Sequence, residues 1–425
     1  MVLLHVANVA GSTVIIKTDR NDYAIDQTIE IQTSGLQDGH EYTVYAETKD
    51  ESEKLWTAHA SFFAKQGKID FSQKPELGTY TKASTQGLFW SMRPADYQVD
   101  HDFFRPKNIF KTDLKLFDQS GKQLAQTSFT RSLQVDRLKI ETSRTRNSFY
   151  DLVIPDHPGK KPAILLLGGS EGGLSSHQAK IIASHGFVVM TLAYFGIDPL
   201  PLELNLIPLE YIQHNAKILK SHPQVDASRI YIWGSSKGGE LALLSASTFP
   251  DSFKAVVALV PSNFIWQGIT KDFKALSSWS FEGQALPFLT FIYEEADFKT
   301  QSYRLRVGYE RGLQLSQNKQ ISEILVENIS GPILFVSGTD DQVWPSSTMA
   351  NLAVQRLAEK GFKYKVKHLE YEGAGHFIGL LPSWPTSGRV LGSMYAGGNQ
   401  EADGLACESS WPQIIQFLSE TSKAQ

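Results

Sequence analysis

The sequence predicts an α/β protein in which a mainly parallel sheet, covered by helices on both faces, follows an N-terminal antiparallel β-sandwich. Three observations carry this prediction. Between about residues 12 and 130, short β-rich runs alternate with polar turns, without a sustained helical period. Beyond about residue 131, apolar β runs alternate with longer helical patterns. A length of 425 residues exceeds what one hydrophobic core usually serves, so two domains are expected.

In the first part the β-rich runs are 13–17, 28–33, 41–47, 55–64 and 113–117, with turn signals at Asp38-Gly39 and at 118–121. The boundary falls in 125–135, because 133–142 and 148–154 read as a hairpin leading into the second domain. The expected domains are therefore 1–130 and 131–425. In the second, strands are expected at 163–167, 188–193, 229–233, 256–260 and 333–337, and helices at 178–184, 209–220 and 239–247. No internal repeat and no low-complexity segment interrupts this pattern.

The composition narrows the function classes. A hydrophobic content of 41% with 11% aromatics is ordinary for a soluble globular protein and argues against long disordered regions. Lys and Arg total 41 against 45 Asp and Glu, and no basic stripe suggests a nucleic-acid partner. Arg137, Lys139, Arg144 and Arg146 alternate with other residues and decorate a strand. Cys407 is the single cysteine, which excludes an intramolecular disulfide and a cysteine-based metal cluster. Residues 1–11 lack a basic segment followed by a long apolar stretch, and no apolar run approaches the ~18 residues of a membrane span. The last residues, Ser422-Lys423-Ala424-Gln425, are not a peroxisomal Ser-Lys-Leu address, and the expected location is the cytoplasm.

The strongest local signal is Gly234-Ser235-Ser236-Lys237-Gly238, between the strand 229–233 and the helix opening at Gly239. It matches G-x-S-x-G in a strand-turn-helix setting, the nucleophile elbow of an α/β-hydrolase. Glycines permit the sharp turn that lifts the Ser236 hydroxyl above the sheet, and the Lys237 amide becomes an oxyanion-hole donor. The competing reading is a glycine-rich connection in which serine caps a helix.

A serine needs a base, and in this fold acid and histidine follow the nucleophile in the chain. Of eleven histidines, His368 and His376 lie late enough. His368 is embedded in the strand-like 363–371, a structural setting, whereas His376 ends the loop Glu372-Gly373-Ala374-Gly375-His376 and is preferred as base. The acid belongs after the strand 333–337, in Gly338-Thr339-Asp340-Asp341-Gln342-Val343-Trp344-Pro345. Asp341 is preferred, since many α/β-hydrolases place the acid third after such a glycine and four before a proline; Asp340 is expected to cap the turn.

The second oxyanion donor is expected in Gly168-Gly169-Ser170-Glu171-Gly172-Gly173, through the backbone N–H of Ser170 or Glu171. That loop lacks the Lys-Ser/Thr of a phosphate-binding P-loop. An aromatic-rich stretch, 263–298, carries Phe264, Trp266, Phe273, Trp279, Phe281, Phe288, Phe291 and Tyr293 where this fold commonly inserts a lid. An apolar lid over an acyl chain and ordinary packing are equal readings of it.

These residues resemble the acyl-CoA thioesterase and bile acid-CoA:amino acid N-acyltransferase family over nearly the whole chain. The N-terminal part matches at Leu77-Gly78-Thr79-Tyr80 and Gly87-Leu88-Phe89-Trp90-Ser91-Met92-Arg93-Pro94. The C-terminal part matches at 168–174, His185-Gly186-Phe187-Val188-Val189, Leu192-Ala193-Tyr194, Ser221-His222-Pro223, Ser236-Lys237-Gly238-Gly239-Glu240, 338–344 and the loop ending at His376. The resemblance implies an immunoglobulin-like sandwich ahead of an α/β-hydrolase domain and a triad at Ser236, Asp341 and His376. It also implies hydrolysis of an acyl-CoA thioester, with coenzyme A as part of the substrate and no further cofactor or metal. Members that conjugate amino acids tend to carry cysteine at the nucleophile position, so serine favours hydrolysis, and Cys407 is expected to be a packed residue. The long aromatic segment and the absent peroxisomal address are departures from the family pattern.

Other readings remain open at this point. The same triad serves carboxylesterases and peptidases, and an N-acyltransferase differs only in whether an amine outcompetes water. A binding or adhesion protein with a vestigial site is the non-enzymatic alternative. Lys237 and Arg304 are the basic residues considered for the nucleotide phosphates, with solvation preferred for Arg304.

Overall fold

The computed structural model describes residues 8–9, 12–96, 101–133, 137–272, 274–379 and 381–423. The chain groups into two compact units, Met1–Gln134 with Gly379–Leu391 and Asn399–Trp411, and Val135–Ile378 with Gly392–Gly398 and Pro412–Gln425.

The first unit is built on a sheet in the order Asp22–Ala24, Gln123–Ser132, Ile109–Asp118, Glu41–Lys49, Leu55–Phe63 and Leu77–Gly78, with Arg93–Pro94 also pairing to Leu55–Phe63. Its long pairings are antiparallel, whereas Asp22–Ala24 joins Gln123–Ser132 in parallel. A second ladder, Ile15–Thr18 with Ile31–Ser34, packs against Gln123–Ser132. Alternation drives this packing: in Glu41–Lys49 the side chains of Tyr42, Val44, Ala46 and Thr48 point into the core and their neighbours do not. Gln123–Ser132 is a strand that the sequence reading placed in the boundary; its Gln, Ser and Thr residues disguise the inward side chains of Leu124, Phe129 and Arg131.

Two late segments that sequence division assigned to the second domain group with this unit. The physical reason is hydrogen bonding to buried groups. The Arg131 guanidinium donates to the Ser383 carbonyl at 2.9 Å, Thr386 donates to the Trp90 carbonyl, and Gln400 donates to the carbonyls of Trp90 and Met92.

The second unit holds an eight-stranded sheet of β1 (Leu138–Thr145), β2 (Ser148–Pro155), β3 (Lys161–Leu167), β4 (Val188–Leu192), β5 (Val225–Ser235), β6 (Val256–Leu259), β7 (Ile333–Gly338) and β8 (Val366–Tyr371). Their order is β1-β2-β4-β3-β5-β6-β7-β8, with β1–β2 and β2–β4 antiparallel and all later pairs parallel. Helices α1 (Ser176–Ser184), α2 (Leu209–Ser221), α3 (Lys237–Thr248), α4 (Arg306–Leu315), α5 (Ser346–Glu359) and α6 (Gln400–Lys423) accompany it, α6 with residues in both units. In β3 the run Ala163 to Leu167 is buried throughout, and so are all residues of β6 and β7, as expected of central parallel strands covered on both faces.

Parallel strands present their carboxyl ends along one edge, where open α/β sheets place ligands. The segments following β3, β5, β7 and β8 carry Ser170 and Glu171, Ser236, Asp341 and His376 respectively. No helix among the described residues is long and apolar enough to cross a membrane.

Candidate active site

The turn from β5 into α3 is sharp, and Ser236 sits at its apex with φ 55° and ψ −122°, a conformation that side-chain-bearing residues rarely adopt. Its N–H donates to the Leu259 carbonyl of β6 at 2.9 Å, which pins the apex over the sheet. Two glycines are required by close approach. A Cβ on Gly234 would stand 1.9 Å from the Gly238 oxygen, and one on Gly238 would stand 2.2 Å from the Gly168 oxygen. Lys237 is the first residue of α3, so its N–H has no acceptor within the helix and is available at the apex.

His376 lies beyond β8, held by a backbone bond from its N–H to the Ala396 carbonyl at 3.0 Å. Its Nε2 is 3.0 Å from Ser236 Oγ and its Nδ1 is 2.8 Å from Asp341 Oδ2. Asp341 is fully buried, and its carboxylate is fixed by three further donors: Val343 N–H at 3.0 Å, Trp344 N–H at 3.3 Å and the Ser346 hydroxyl at 2.6 Å. Asp340 turns elsewhere, accepting from the Gln342 amide and from Gly398 N–H. The two adjacent aspartates therefore point apart.

His368 stays within the sheet, 2.7 Å from the Ser337 hydroxyl and 3.1 Å from Asn351 Oδ1. Burial holds its imidazole below the ordinary value of 6.5, with Glu370 opposing. The unfolded chain takes up this proton first as pH falls, so the contribution to stability is present above the unfolded value and is lost on acidification. Denaturation midpoints taken at about pH 7.5 and about pH 5.5 are expected to fall less for His368→Gln than for the unsubstituted chain.

The loop after β3 closes on the elbow at Gly169, where an added Cβ would meet Ser236 Cβ at 3.2 Å and the Ser235 oxygen at 3.3 Å. Ser170 and Glu171 are exposed. The Glu171 side chain folds back so that Oε1 accepts the Gly169 N–H at 2.9 Å. Beneath the loop, the Tyr194 hydroxyl donates to the Gly168 carbonyl at 2.7 Å. Burial, with the Glu171 and Glu240 carboxylates adding to it, pushes this phenol well up, so it remains a donor.

Residues 207–424 match the family described as BAAT / Acyl-CoA thioester hydrolase C terminal, and residues 26–144 match the Acyl-CoA thioester hydrolase/BAAT N-terminal region. The chain belongs to the acyl-CoA thioester hydrolase/BAAT family. Among curated relatives, it is 30% identical to acyl-coenzyme A thioesterase 2, mitochondrial, of Rattus norvegicus, over 92% of this chain and 86% of the relative. It is 30% identical to acyl-coenzyme A amino acid N-acyltransferase 1 of Mus musculus, over 93% of this chain and 94% of the relative. Acyl-coenzyme A thioesterase 6 of Mus musculus is 29% identical, over 92% and 93%.

In this member of the acyl-CoA thioester hydrolase/BAAT family, Lys237 is not available to a nucleotide phosphate. It is 2% exposed, and its ammonium donates to Glu240 Oε2 at 2.7 Å. Burial pushes the Lys237 ammonium down and the Glu240 carboxyl up, while their mutual attraction opposes both. Arg304 is exposed and stands over the Tyr395 ring. The aromatic stretch packs inward: Phe264, Trp266 and Trp279 are buried, Phe281, Phe288, Phe291 and Tyr293 are partly buried, and Phe273 lies outside the described residues. Cys407 is buried, and no group of three or more His, Cys, Asp or Glu fit to hold a metal occurs among the described residues. Sequence reasoning gave no role to Ser346, to the Glu171 side chain, or to Tyr194 and Glu240 beyond their place in family motifs. The two family motifs were the only signal that could have singled out Tyr194 and Glu240.

Proposed function

We propose that the chain is a serine acyl-CoA thioester hydrolase with Ser236 as nucleophile, His376 as base and Asp341 as the acid that orients it. The observation that carries the reading is the continuous Ser236 Oγ–His376–Asp341 relay at a strained elbow, in a chain of this family. Ser236 Oγ attacks the thioester carbonyl as His376 Nε2 takes its proton, and Asp341 holds the Nδ1 proton and stabilises the imidazolium. The Lys237 N–H and a backbone N–H of Ser170 or Glu171 hold the oxyanion. Collapse breaks the carbon–sulfur bond, His376 protonates the leaving thiolate, and coenzyme A departs. Water, deprotonated by His376, then cleaves the acyl-serine ester and releases the acid. Each step uses groups of the chain, the substrate and water, and no metal or further cofactor enters. The proposed location is the cytoplasm.

The N-acyltransferase among the relatives keeps one alternative in view, in which an amine replaces water at the acyl-enzyme. The test is product analysis on acyl-CoA, p-nitrophenyl ester and peptide substrates, with and without glycine or taurine. Free acid and coenzyme A are expected, unchanged by added amine. Amide products would convert the reading to acyl transfer, and turnover of only oxygen esters or peptides would overturn the thioesterase assignment.

A further inference from the structure

The mechanism gives no task to the side chains of Lys237 and Glu240, yet both lie inside the second unit within about one helical turn of Ser236. Their side chains are 3% and 0% exposed. Taking two charges out of water is expensive, and apolar side chains of similar volume often stabilise a fold as well or better; the best-attested use of such a pair is to specify geometry. Here the geometry is specific. Glu240 Oε2 receives the Lys237 ammonium, while Oε1 receives both the Trp279 indole N–H at 2.7 Å and the Trp266 backbone N–H at 3.1 Å. The Lys237 ammonium also stands 5.2 Å from the Trp279 ring centre.

From the two tryptophans, contacts run to the parts of the site that the nucleophile's helix does not itself carry. Trp279 meets the Tyr194 ring at 5.9 Å, and Tyr194 grips the Gly168 carbonyl at the root of the oxyanion loop. Trp266 packs edge-on to Tyr309 at 4.7 Å, Tyr309 to Trp344 at 5.6 Å, and Trp344 to the His376 ring at 6.3 Å. The Trp344 backbone N–H also donates to Asp341, and its indole donates to the Val260 carbonyl at 2.9 Å. Both paths start from one carboxylate on α3. We propose that Glu240 is a positioning residue that sets the oxyanion loop, through Trp279, and the imidazole, through Trp266, against Ser236. The inference rests on Ser236 being the nucleophile.

The test compares Glu240→Ala, Glu240→Gln and Trp279→Phe by fluorophosphonate labelling of Ser236 and by steady-state kinetics on an acyl-CoA, at a temperature where thermal unfolding shows each variant folded. Misplacement of reacting groups by about 1 Å costs about 10²-fold in rate. Glu240→Ala is expected to lose about 10²-fold in both labelling rate and kcat, with KM for the acyl-CoA held within about threefold, the split that marks lost transition-state alignment. Glu240→Gln keeps an acceptor for both tryptophan donors while giving up the one that receives the Lys237 ammonium, and Trp279→Phe keeps an aromatic ring but removes the indole donor. Each is expected to lose about tenfold, between the unsubstituted chain and Glu240→Ala. If Glu240→Ala does not fold, these two milder variants decide. Folded variants that label Ser236 and turn over at the unsubstituted rate, with only a lowered unfolding temperature, would reduce the pair to a packing element and overturn the proposal. Failure of the unsubstituted protein to label at Ser236 would instead sink the nucleophile assignment, and the inference with it.

Discussion

Ser236→Ala is expected to lower kcat on an acyl-CoA by about 10⁶-fold, the scale on which removing the nucleophile of a Ser-His-Asp unit acts. The protein should fold, because the Ser236 backbone contacts that form the elbow, its N–H to Leu259 and its carbonyl to Glu240 N–H, do not involve the hydroxyl. His376→Ala should fall about as far, and the double variant no further, because in the proposed mechanism base and nucleophile act as one unit. Release of coenzyme A followed with a thiol reagent, beside circular dichroism to confirm folding, measures this directly. Retention of most activity by Ser236→Ala would end the reading of this site, since among the described residues the hydroxyl placed against His376 Nε2 is that of Ser236.

What the sequence revealed of this site follows from how local each feature is. The elbow was legible because strand, turn, glycines and helix are contiguous: clearance at Gly234 and Gly238 is decided within the pentapeptide and the loop it touches. The imidazole was legible because chain order left two histidines and only one of them sat in a loop. The choice between Asp340 and Asp341 rested on spacing alone, because in a turn the direction of a side chain depends on donors that the tertiary fold supplies. Those donors are Ser346, Val343 and Trp344 for one aspartate and Gly398 for the other. Glu240 was visible only as a letter in a motif, since its partners Trp266 and Trp279 stand 26 and 39 residues away. The same holds for the fold. Alternating apolar residues announced the strands of Glu41–Lys49 and the buried run of β3, whereas the grouping of Gly379–Leu391 with the first unit depends on Arg131 reaching Ser383, 252 residues on. Fold-back of the Glu171 carboxylate onto Gly169 N–H is a loop conformation, and glycine-rich sequence leaves it open.

The aspartate pair gives the sharpest contrast between neighbours. Asp341→Asn is expected to reduce kcat by about 10⁴-fold, because an amide facing His376 Nδ1 favours the tautomer that leaves Nε2 protonated and unable to accept from Ser236. The geometry around it should survive, since the amide oxygen can still accept from Val343 and Trp344 N–H. Asp340→Asn removes a charge of equal size one residue away, but that side chain braces the loop through Gln342 and Gly398 and does not touch the imidazole. Its expected loss of kcat is within about tenfold, accompanied by a lowered unfolding temperature. Measuring both variants on one acyl-CoA, with labelling at Ser236 as the second readout, separates orientation of the base from general acidity of the loop. Equal losses at the two positions would show that local charge, rather than the 2.8 Å contact between Asp341 and His376, is what the site uses.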